Sequence, residues 1–223
     1  MSTSELHSRR TNGTSRAILD AARDLFAERG FEGTAVSDIA GVVGVADGAI
    51  YKHFPSKRAV LFEVIREFYE PVIDASESSL AGIDGIRNQL RYLIWLQLRA
   101  FAEEPEVCRL IIAEARPMED YYQSEIAELN RRWTSLFVGV VSEGQATGDI
   151  RDDFPASLVR DLVYGGIEHI AWAATSGHGS IDPDRMADDL MRLVCEGLQP
   201  PPSSEDLDAR VSRIEALLAE AER

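Results

Sequence analysis

Helical periodicity runs through almost the whole chain from residue 14 onward, and this feature most restricts the possible folds. Apolar side chains recur every three or four residues, beginning with Ile18, Ala22, Leu25 and Phe26, which is the spacing of one helix face. No stretch alternates Val, Ile or Thr between turn signals for long enough to predict a strand. The sequence therefore predicts an all-α fold.

Glycine, proline and capping residues divide this periodic sequence into separate helices. Gly30 follows Arg29 at the predicted end of the first helix, Thr34 is a typical N-cap for a short second helix, and Gly44 ends that helix. Pro, Gly and Asp mark the later breaks. The remaining predicted helices cover residues 46–54, 56 to about 71, 83–102, 105–116, 119–147, 156–176 and 183–198.

The two ends of the chain differ in composition from the rest. Residues 1–13 are polar and are interpreted as a flexible tail, while Arg9 and Arg10 leave open an arm that enters a DNA minor groove. After three consecutive prolines, an apolar stripe predicts a final helix over about 203–222. This stripe suits docking on its own domain or a short dimer seam, and its length favours docking because a coiled coil needs a longer repeat.

Charge is distributed unevenly along the chain. The formal net charge of the protein is −15, yet residues 1–60 sum to +1 and residues 61–223 to −16. Both lysines of the protein, Lys52 and Lys57, lie in the near-neutral segment. Because the acidic remainder repels a phosphate backbone, only the N-terminal segment is suited to approach nucleic acid.

Residues 36–54 have the order of a helix-turn-helix, in which the second helix enters the major groove of DNA. Gly44 lies in the turn, where a positive φ is commonly required. Gly48 and Ala49 leave the start of the second helix unobstructed, so its backbone can approach the bases. Hydrogen-bond donors and cations for phosphates follow them: Tyr51, Lys52, His53 and Lys57.

The same region carries a gapless set of residues at fixed spacing: Ala21-Ala22, Leu25-Phe26, Gly30-Phe31, Thr34, Ile39-Ala40, Gly44-Val45, Gly48, Ile50-Tyr51, His53-Phe54 and Ser56-Lys57. With these residues, positions 14–65 resemble the N-terminal domain of the TetR/AcrR family of transcriptional regulators. The resemblance implies a homodimeric repressor in which residues 14–60 bind a palindromic operator and residues 61–223 bind a small hydrophobic effector and dimerise. It also implies phosphate contacts by Thr34, Tyr51, His53 and Lys57, with Gly48 and Ala49 against the bases.

Two positions at the start of the second helix depart from the family pattern. Ala46 stands where the family often has Ser or Thr, so a hydroxyl that would cap the helix or touch a phosphate is missing. Asp47 stands where a polar or basic residue is common, and it either caps the helix or accepts a hydrogen bond from a cytosine amine. Capping is the favoured interpretation.

The larger domain is rich in apolar side chains that are able to line a cavity, although most such side chains form ordinary core. Gly165-Gly166 within a helix predicts the close approach of another helix. Glu168 and His169 have two interpretations. Either one of them is exposed and the other is hydrogen-bonded in the core, or both are polar anchors in a pocket or dimer interface. The expected pocket residues are Trp95, Leu96, Phe101, Trp133, Phe137, Tyr164, Glu168, His169 and Trp172.

Asp149-Ile150 and the helix that follows resemble the C-terminal domains of TetR-family regulators of fatty-acid metabolism, which bind long-chain acyl-CoA. The resemblance makes acyl-CoA the first candidate effector. A planar hydrophobic compound, sensed by a regulator of an efflux gene, is the second. Arginines that are available for CoA phosphates include Arg87, Arg91, Arg99, Arg109 and Arg132.

Motifs of other function classes are missing from the sequence. It contains no HExxH, CxxC, GxSxG or phosphate-binding glycine loop, which disfavours a small all-α enzyme and predicts no metal or cofactor. A helical adaptor would not require the helix-turn-helix residues.

Without a membrane-length apolar run, a signal sequence or a disulfide framework, the chain is expected in the cytoplasm. Cys108 and Cys195 are interpreted as buried thiols or as a redox sensor.

Overall fold

The computed structural model describes residues 3–198 and 212–214, with side chains from Gly13 onward. Nine α-helices and no strand occur within residues 3–198, which confirms the predicted all-α class. A π-helical turn at Ile111–Ala115 continues α6, and a 3₁₀ turn at Tyr121–Gln123 precedes α7. The helices are α1 Thr3–Arg29, α2 Val36–Val43, α3 Asp47–His53, α4 Lys57–Leu80, α5 Ile86–Glu103, α6 Pro105–Leu110, α7 Glu125–Thr147, α8 Ala156–Thr175 and α9 Pro183–Leu198.

Two helix boundaries differ clearly from the prediction. α1 begins at Thr3 rather than at Thr14, so the backbone from Thr3 is helical and not an irregular tail. Extending a helix that is already anchored requires no new nucleus, which explains why weak helix formers can continue it. α4 runs through Pro71 to Leu80 because Ile73 and Ser76, beyond the proline, are fully buried. Burial there outweighs the hydrogen bond that the proline cannot make.

The N-terminal domain is built on α1, which packs against both α2 and α4. Ile18, Phe26, Ile39, Ile50 and Leu61 are at most 1% exposed and form its core. This packing fixes α2 and α3 by their apolar faces and leaves their other faces available for contacts outside the chain.

The larger domain is a helical bundle in which α5 packs on α9, α4 on α7 and α7 on α8. Trp133 and Phe137 of α7 and Leu93 and Ile94 of α5 are buried in its centre. Since α4 contributes to both domains, it connects them through one continuous element. The predicted final helix lies outside the described residues, apart from residues 212–214. In the described part of the chain, no helix is both long and apolar enough to cross a membrane.

Gly144 is required where α7 meets the connection to α8. A Cβ added at this position would lie 2.8 Å from Ile150 Cδ1 and 2.9 Å from Ile86 Cγ2, whereas one at Gly139 of the same helix would meet nothing within 4 Å. We expect Gly144→Ala to lower the free energy of unfolding by about 1–3 kcal/mol through overpacking. Gly139→Ala should raise it by about 0.5–1 kcal/mol through helix propensity. Urea denaturation of both variants measures the contrast, and equal effects would contradict it.

Candidate functional site

The turn between α2 and α3 has the geometry that its sequence predicts. Gly44 adopts φ 74° and ψ 35°, and its N–H donates to Ala40 O at 2.9 Å. Val45 N–H donates to the same carbonyl at 3.0 Å. The left-handed glycine ends α2, and only two residues separate it from the first residue of α3, which sets the two helices as a helix-turn-helix.

The beginning of α3 is exposed and sterically open. Asp47 and Gly48 are exposed and Ala49 is partly exposed, while Ile50 behind them is 1% exposed and anchors the helix. A Cβ added at Gly48 would meet nothing within 4 Å, so this glycine is not needed for packing within the chain. The open surface is therefore available for a partner outside the chain.

The structure contradicts the capping interpretation of Asp47. The N-cap of α3 is Ala46, which has no side-chain acceptor, and Asp47 is already the first helical residue. The carboxylate therefore acts at this helix terminus only through its charge, which favours the positive end of the helix dipole.

Thr34 is buried, and the expected contact of its side chain with phosphate is wrong for this structure. The residue is 1% exposed, and its hydroxyl lies 2.9 Å from Gly30 O and 3.2 Å from Leu25 O. It is also not the N-cap of α2, since that position is Ala35, whose N–H donates to the Asp38 carboxylate at 2.8 Å. Thr34 instead ties the connection before α2 to the end of α1.

The other predicted phosphate contacts differ in exposure. Tyr51 is 53% exposed and Lys52 is exposed, whereas His53 is half-buried beside the Phe54 ring. Lys57 is also half-buried: its Nζ donates to Phe31 O at 2.7 Å and lies 4.2 Å from the centre of the Phe31 ring. Lys57 thus links α4 to the end of α1, and its contact with phosphate remains a prediction.

The larger domain contains a partly open cavity of about 460 Å³ between α5, α7 and α8 and the segment before α7. Most of its lining residues carry polar side chains, and Ala127 is the largest aliphatic side chain in it. The lining residues are Gln97, Arg116, Tyr121, Tyr122, Ala127, Asn130, Arg131, Thr134, Arg160, Asp161, Tyr164, Gly165 and Glu168.

Arg116 and Glu168 form a bidentate ion pair in this wall. Arg116 Nη1 and Nη2 donate to the Glu168 carboxylate at 2.5 and 2.6 Å. Burial is the largest single influence on the pKa of the Arg116 guanidinium and lowers it, but the hydrogen bonds that Arg116 donates to Glu168 and the charge of that carboxylate together raise it. The guanidinium therefore keeps its charge, which the Glu168 carboxylate balances in the wall of the cavity.

Two of the nine expected pocket residues, Tyr164 and Glu168, line the cavity. His169 is exposed, Trp172 is 45% exposed, and Trp95 is half-buried against Tyr92. The other four expected residues are packed in the core, as aromatic and leucine side chains at helical spacing usually are: Leu96, Phe101, Trp133 and Phe137.

Sequence reasoning missed most of the cavity wall. Gln97 interrupts an apolar helical run and Arg116 follows another, so a polar residue on an apolar face was the available signal. The expected close approach at Gly165-Gly166 is also wrong within the chain, because a Cβ at either glycine would meet nothing within 4 Å. Gly165 instead lines the cavity.

The outer faces of α8 and α9 carry an unusual amount of exposed apolar surface. Leu162 and Leu193 are each 70% exposed, and Leu158 is 44% exposed. These leucines line a groove of about 320 Å³ between the two helices, together with Phe154 and Val194. A contiguous exposed apolar patch on a single chain is typical of a surface that binds another molecule.

Several contacts besides α4 join the two domains. The Glu114 carboxylate accepts Phe31 N–H at 3.2 Å, and Arg109 donates to Ala27 O. Arg23 of α1 pairs with Glu104 at 3.3 Å. The end of α1 is thus held by α6 and by the π-helical turn that leads to Arg116 in the cavity wall.

Cys108 lies on α6 and is fully buried. Burial raises the pKa of its thiol, which keeps it protonated and unreactive. The buried interpretation therefore holds for Cys108, while Cys195 is partly exposed.

Comparison with known proteins places this architecture in a family. Residues 18–64 match the model of the bacterial regulatory proteins of the tetR family, and residues 84–198 match the tetracyclin repressor-like C-terminal domain. The HTH-type transcriptional repressor KstR2 of Rhodococcus jostii is 29% identical over 85% of this chain and 93% of its own length. The fatty acid metabolism regulator protein of Bacillus subtilis is 24% identical over 81% and 93%.

Solved structures share the same fold. The regulator FadR from Bacillus subtilis in complex with stearoyl-CoA superimposes with a TM-score of 0.74 at 24% identity, covering 82% of this chain and 99% of that one. KstR2 of Mycobacterium tuberculosis gives a TM-score of 0.67 at 22% identity over 84% and 95%. The chain belongs to the TetR family of bacterial DNA-binding transcriptional regulators.

Proposed function

We propose that this protein is a transcriptional repressor that binds a palindromic operator as a homodimer and leaves it when a small molecule enters the cavity of the larger domain. The observation that carries the proposal is the beginning of α3, which is exposed, glycine-containing and sterically open on a helix-turn-helix. A regulatory rather than a catalytic role is supported by relatives that are HTH-type transcriptional repressors.

Binding to duplex DNA tests the proposal against an enzyme or an adaptor. A fluorescent duplex library titrated with the protein at low salt should give binding that weakens steeply as salt is added, because phosphate contacts release counterions. A protein of net charge −15 that lacked a DNA-reading surface would be repelled by the duplex. No binding at low salt would contradict the proposal.

Lys57 is expected to act on affinity but not on base preference. Lys57→Ala should weaken binding to all duplexes by a similar factor and reduce the slope of log K against log salt by ~1, since one phosphate contact is lost. Because Lys57 also donates to Phe31 O, the variant should lose some thermal stability as well. Binding isotherms at several salt concentrations measure the slope, and a changed preference for one base pair would contradict a phosphate role.

The proposed dimer uses the apolar face of α8 and α9. A twofold axis would bring Leu158, Leu162 and Leu193 of one chain against the same residues of its partner, which buries the patch on both chains at once. This axis would relate the two copies of α3. They would contact half-sites whose centres lie about 34–36 Å apart, or a multiple of that distance.

Two effector classes have separate support. Long-chain acyl-CoA is supported by a relative of the same fold, whose structure was determined in complex with stearoyl-CoA. A planar ring compound is supported by the cavity, whose lining includes the aromatic side chains of Tyr121, Tyr122 and Tyr164. Most arginines considered for CoA phosphates are engaged: Arg91 with Asp188, Arg99 with Glu103, Arg109 with Ala27 and Arg132 with Glu77.

The route from cavity to DNA runs along the segment before α7. A ligand that changes the position of Arg116 acts on the π-helical turn, where Glu114 holds Phe31 N–H at the end of α1. An effector that binds more tightly to the dimer at one separation of the two N-terminal domains than at another shifts the dimer toward that separation. Reciprocity then requires operator DNA to weaken effector binding by the same factor, typically about 1–3 kcal/mol.

Calorimetric titration of lauroyl-CoA, with and without operator duplex, tests this coupling for the first effector class. We expect weaker binding when the operator is present. Equal affinity in both titrations would exclude lauroyl-CoA as an inducer, however tightly it bound.

A further inference from the structure

The cavity wall contains a concentration of buried polar atoms without a partner. Among the described residues, six buried side-chain N or O atoms lack a hydrogen bond, and four of them belong to residues that line this cavity. They are Gln97 Oε1, Arg116 Nε, Tyr121 Oη and Tyr164 Oη. Arg116 lies within hydrogen-bonding reach of the Tyr121 hydroxyl, which leaves Gln97 Oε1 and Tyr164 Oη as the two atoms in the wall without any partner among the described residues. An unsatisfied buried polar atom costs free energy, so such a cluster is typical of a site that a ligand completes.

Two of these side chains are almost completely buried on facing helices. Gln97 of α5 and Tyr164 of α8 are each 5% exposed. Burial raises the pKa of the Tyr164 hydroxyl, which therefore stays protonated and able to donate. Gln97 Oε1 can only accept a hydrogen bond and the Tyr164 hydroxyl is able to donate one, so a ligand that uses both offers an N–H or O–H donor and an oxygen acceptor.

The charges in the wall are already neutralised. Arg116 pairs with Glu168, Arg160 pairs with Asp161 at 2.7 Å, and Arg131 pairs with Glu128. Each arginine of the lining thus has its own carboxylate. A carboxylate or phosphate of a ligand would compete with these wall carboxylates for the arginines and would be repelled by any that it does not displace, so the wall favours an uncharged group.

We propose that the cavity holds an uncharged part of the effector that carries both a hydrogen-bond donor and a carbonyl or hydroxyl oxygen, and that any ionised group of the effector stays outside it. This inference rests on the proposed function, because it specifies the ligand of the regulatory cavity. Two sources offer this chemistry: the thioester and amide groups of an acyl-CoA, and a hydroxylated ring compound.

Two matched pairs of probes test the proposal by calorimetry at pH 7. The members of one pair share the ring system and those of the other share the acyl chain, and in each pair an ionised carboxylate stands in place of a neutral group. One pair is 6-hydroxy-2-naphthamide and 6-hydroxy-2-naphthoate, and the other is the N-acetylcysteamine thioester of lauric acid and laurate. The neutral member should bind at least ~10-fold more tightly, because its group requires no displacement of a wall carboxylate. The tighter of the two neutral compounds identifies the source.

Variants of the wall give a second readout. Gln97→Leu and Tyr164→Phe should each weaken the neutral probe by ~10-fold, as expected for a lost buried hydrogen bond. Gln89→Leu is the matched control, because Gln89 Oε1 also lacks a partner but does not line the cavity. Three results would overturn the proposal. The carboxylate could bind as tightly as its neutral partner, both wall variants could bind the neutral probe as tightly as the parent protein does, or neither neutral probe could bind at all.

The ligand-free protein supplies an independent test. The Tyr69 hydroxyl donates to Asn130 Oδ1 at 3.2 Å, so Tyr69→Phe should lower Tm by ~2–4 °C. Tyr164→Phe removes a hydroxyl that has no partner and should leave Tm unchanged or raise it. An equal loss in both variants overturns the proposal, since Tyr164 would then be satisfied within the protein. Operator binding of the same samples is measured separately and reports on the regulator function alone.

Discussion

Gly48→Leu is expected to abolish specific operator binding while the fold and the dimer persist. The side chain would project from the exposed start of α3, where nothing in the chain lies within 4 Å of a Cβ, so the folded protein tolerates it. In the complex the same side chain would separate α3 from the bases. Because specific sites are bound at least ~10³-fold more tightly than other DNA, we expect a loss of that size, down to the non-specific level.

A matched glycine controls for the effect of leucine on a helix. Gly139 of α7 is also exposed, with nothing within 4 Å of its Cβ, but it lies in the larger domain. Gly139→Leu should keep full operator affinity, and both variants should keep the circular dichroism spectrum of the parent protein. Gel-shift titration gives the affinities. If Gly48→Leu keeps the operator affinity of the parent protein, the start of α3 does not contact the bases.

Leu162→Glu should convert the dimer to monomers. Leu162 is 70% exposed on α8, so a carboxylate is well solvated in the free chain. In the proposed dimer the substitution would bury two like charges beside the symmetry axis, which should raise the dimer dissociation constant by at least ~100-fold. Analytical ultracentrifugation measures this constant. Operator affinity should fall in parallel, because each half-site would then be bound by a separate chain.

The substitution also distinguishes a dimer interface from a solvated apolar face. If Leu162→Glu changes neither the sedimentation coefficient nor operator affinity, the outer face of α8 lies outside the interface. Thermal denaturation serves as the control here, since the exposed position predicts little change in the stability of the chain itself.

The helix-turn-helix could be predicted from the sequence because its determinants are local. Gly44 must provide the positive φ of the turn, and the open start of α3 follows directly from Gly48 and Ala49. The role of Thr34 could not be predicted in this way. Its hydroxyl is satisfied by Leu25 and Gly30, and only the packing of α1 against the following turn brings those carbonyls to it.

The effector cavity was harder to predict than the helix-turn-helix, because it is formed by the packing of distant segments. Gln97, Arg116 and Glu168 lie far apart in the sequence and meet only when α5, α8 and the π-helical turn are packed together. Aromatic side chains at helical spacing gave the wrong signal because they fill the core, as Trp133 and Phe137 do. A polar residue within an apolar helical face, as at Gln97, was the more informative pattern.

The most direct test of the account is selection of bound sequences from a random duplex library, followed by determination of the number of chains per duplex. Two chains should bind each selected duplex, and the enriched sequences should contain an inverted repeat with half-site centres about 34–36 Å apart, or a multiple of that distance. Enrichment of an asymmetric sequence bound by one chain, or no enrichment at all, would contradict the proposal that this chain is a dimeric operator-binding repressor.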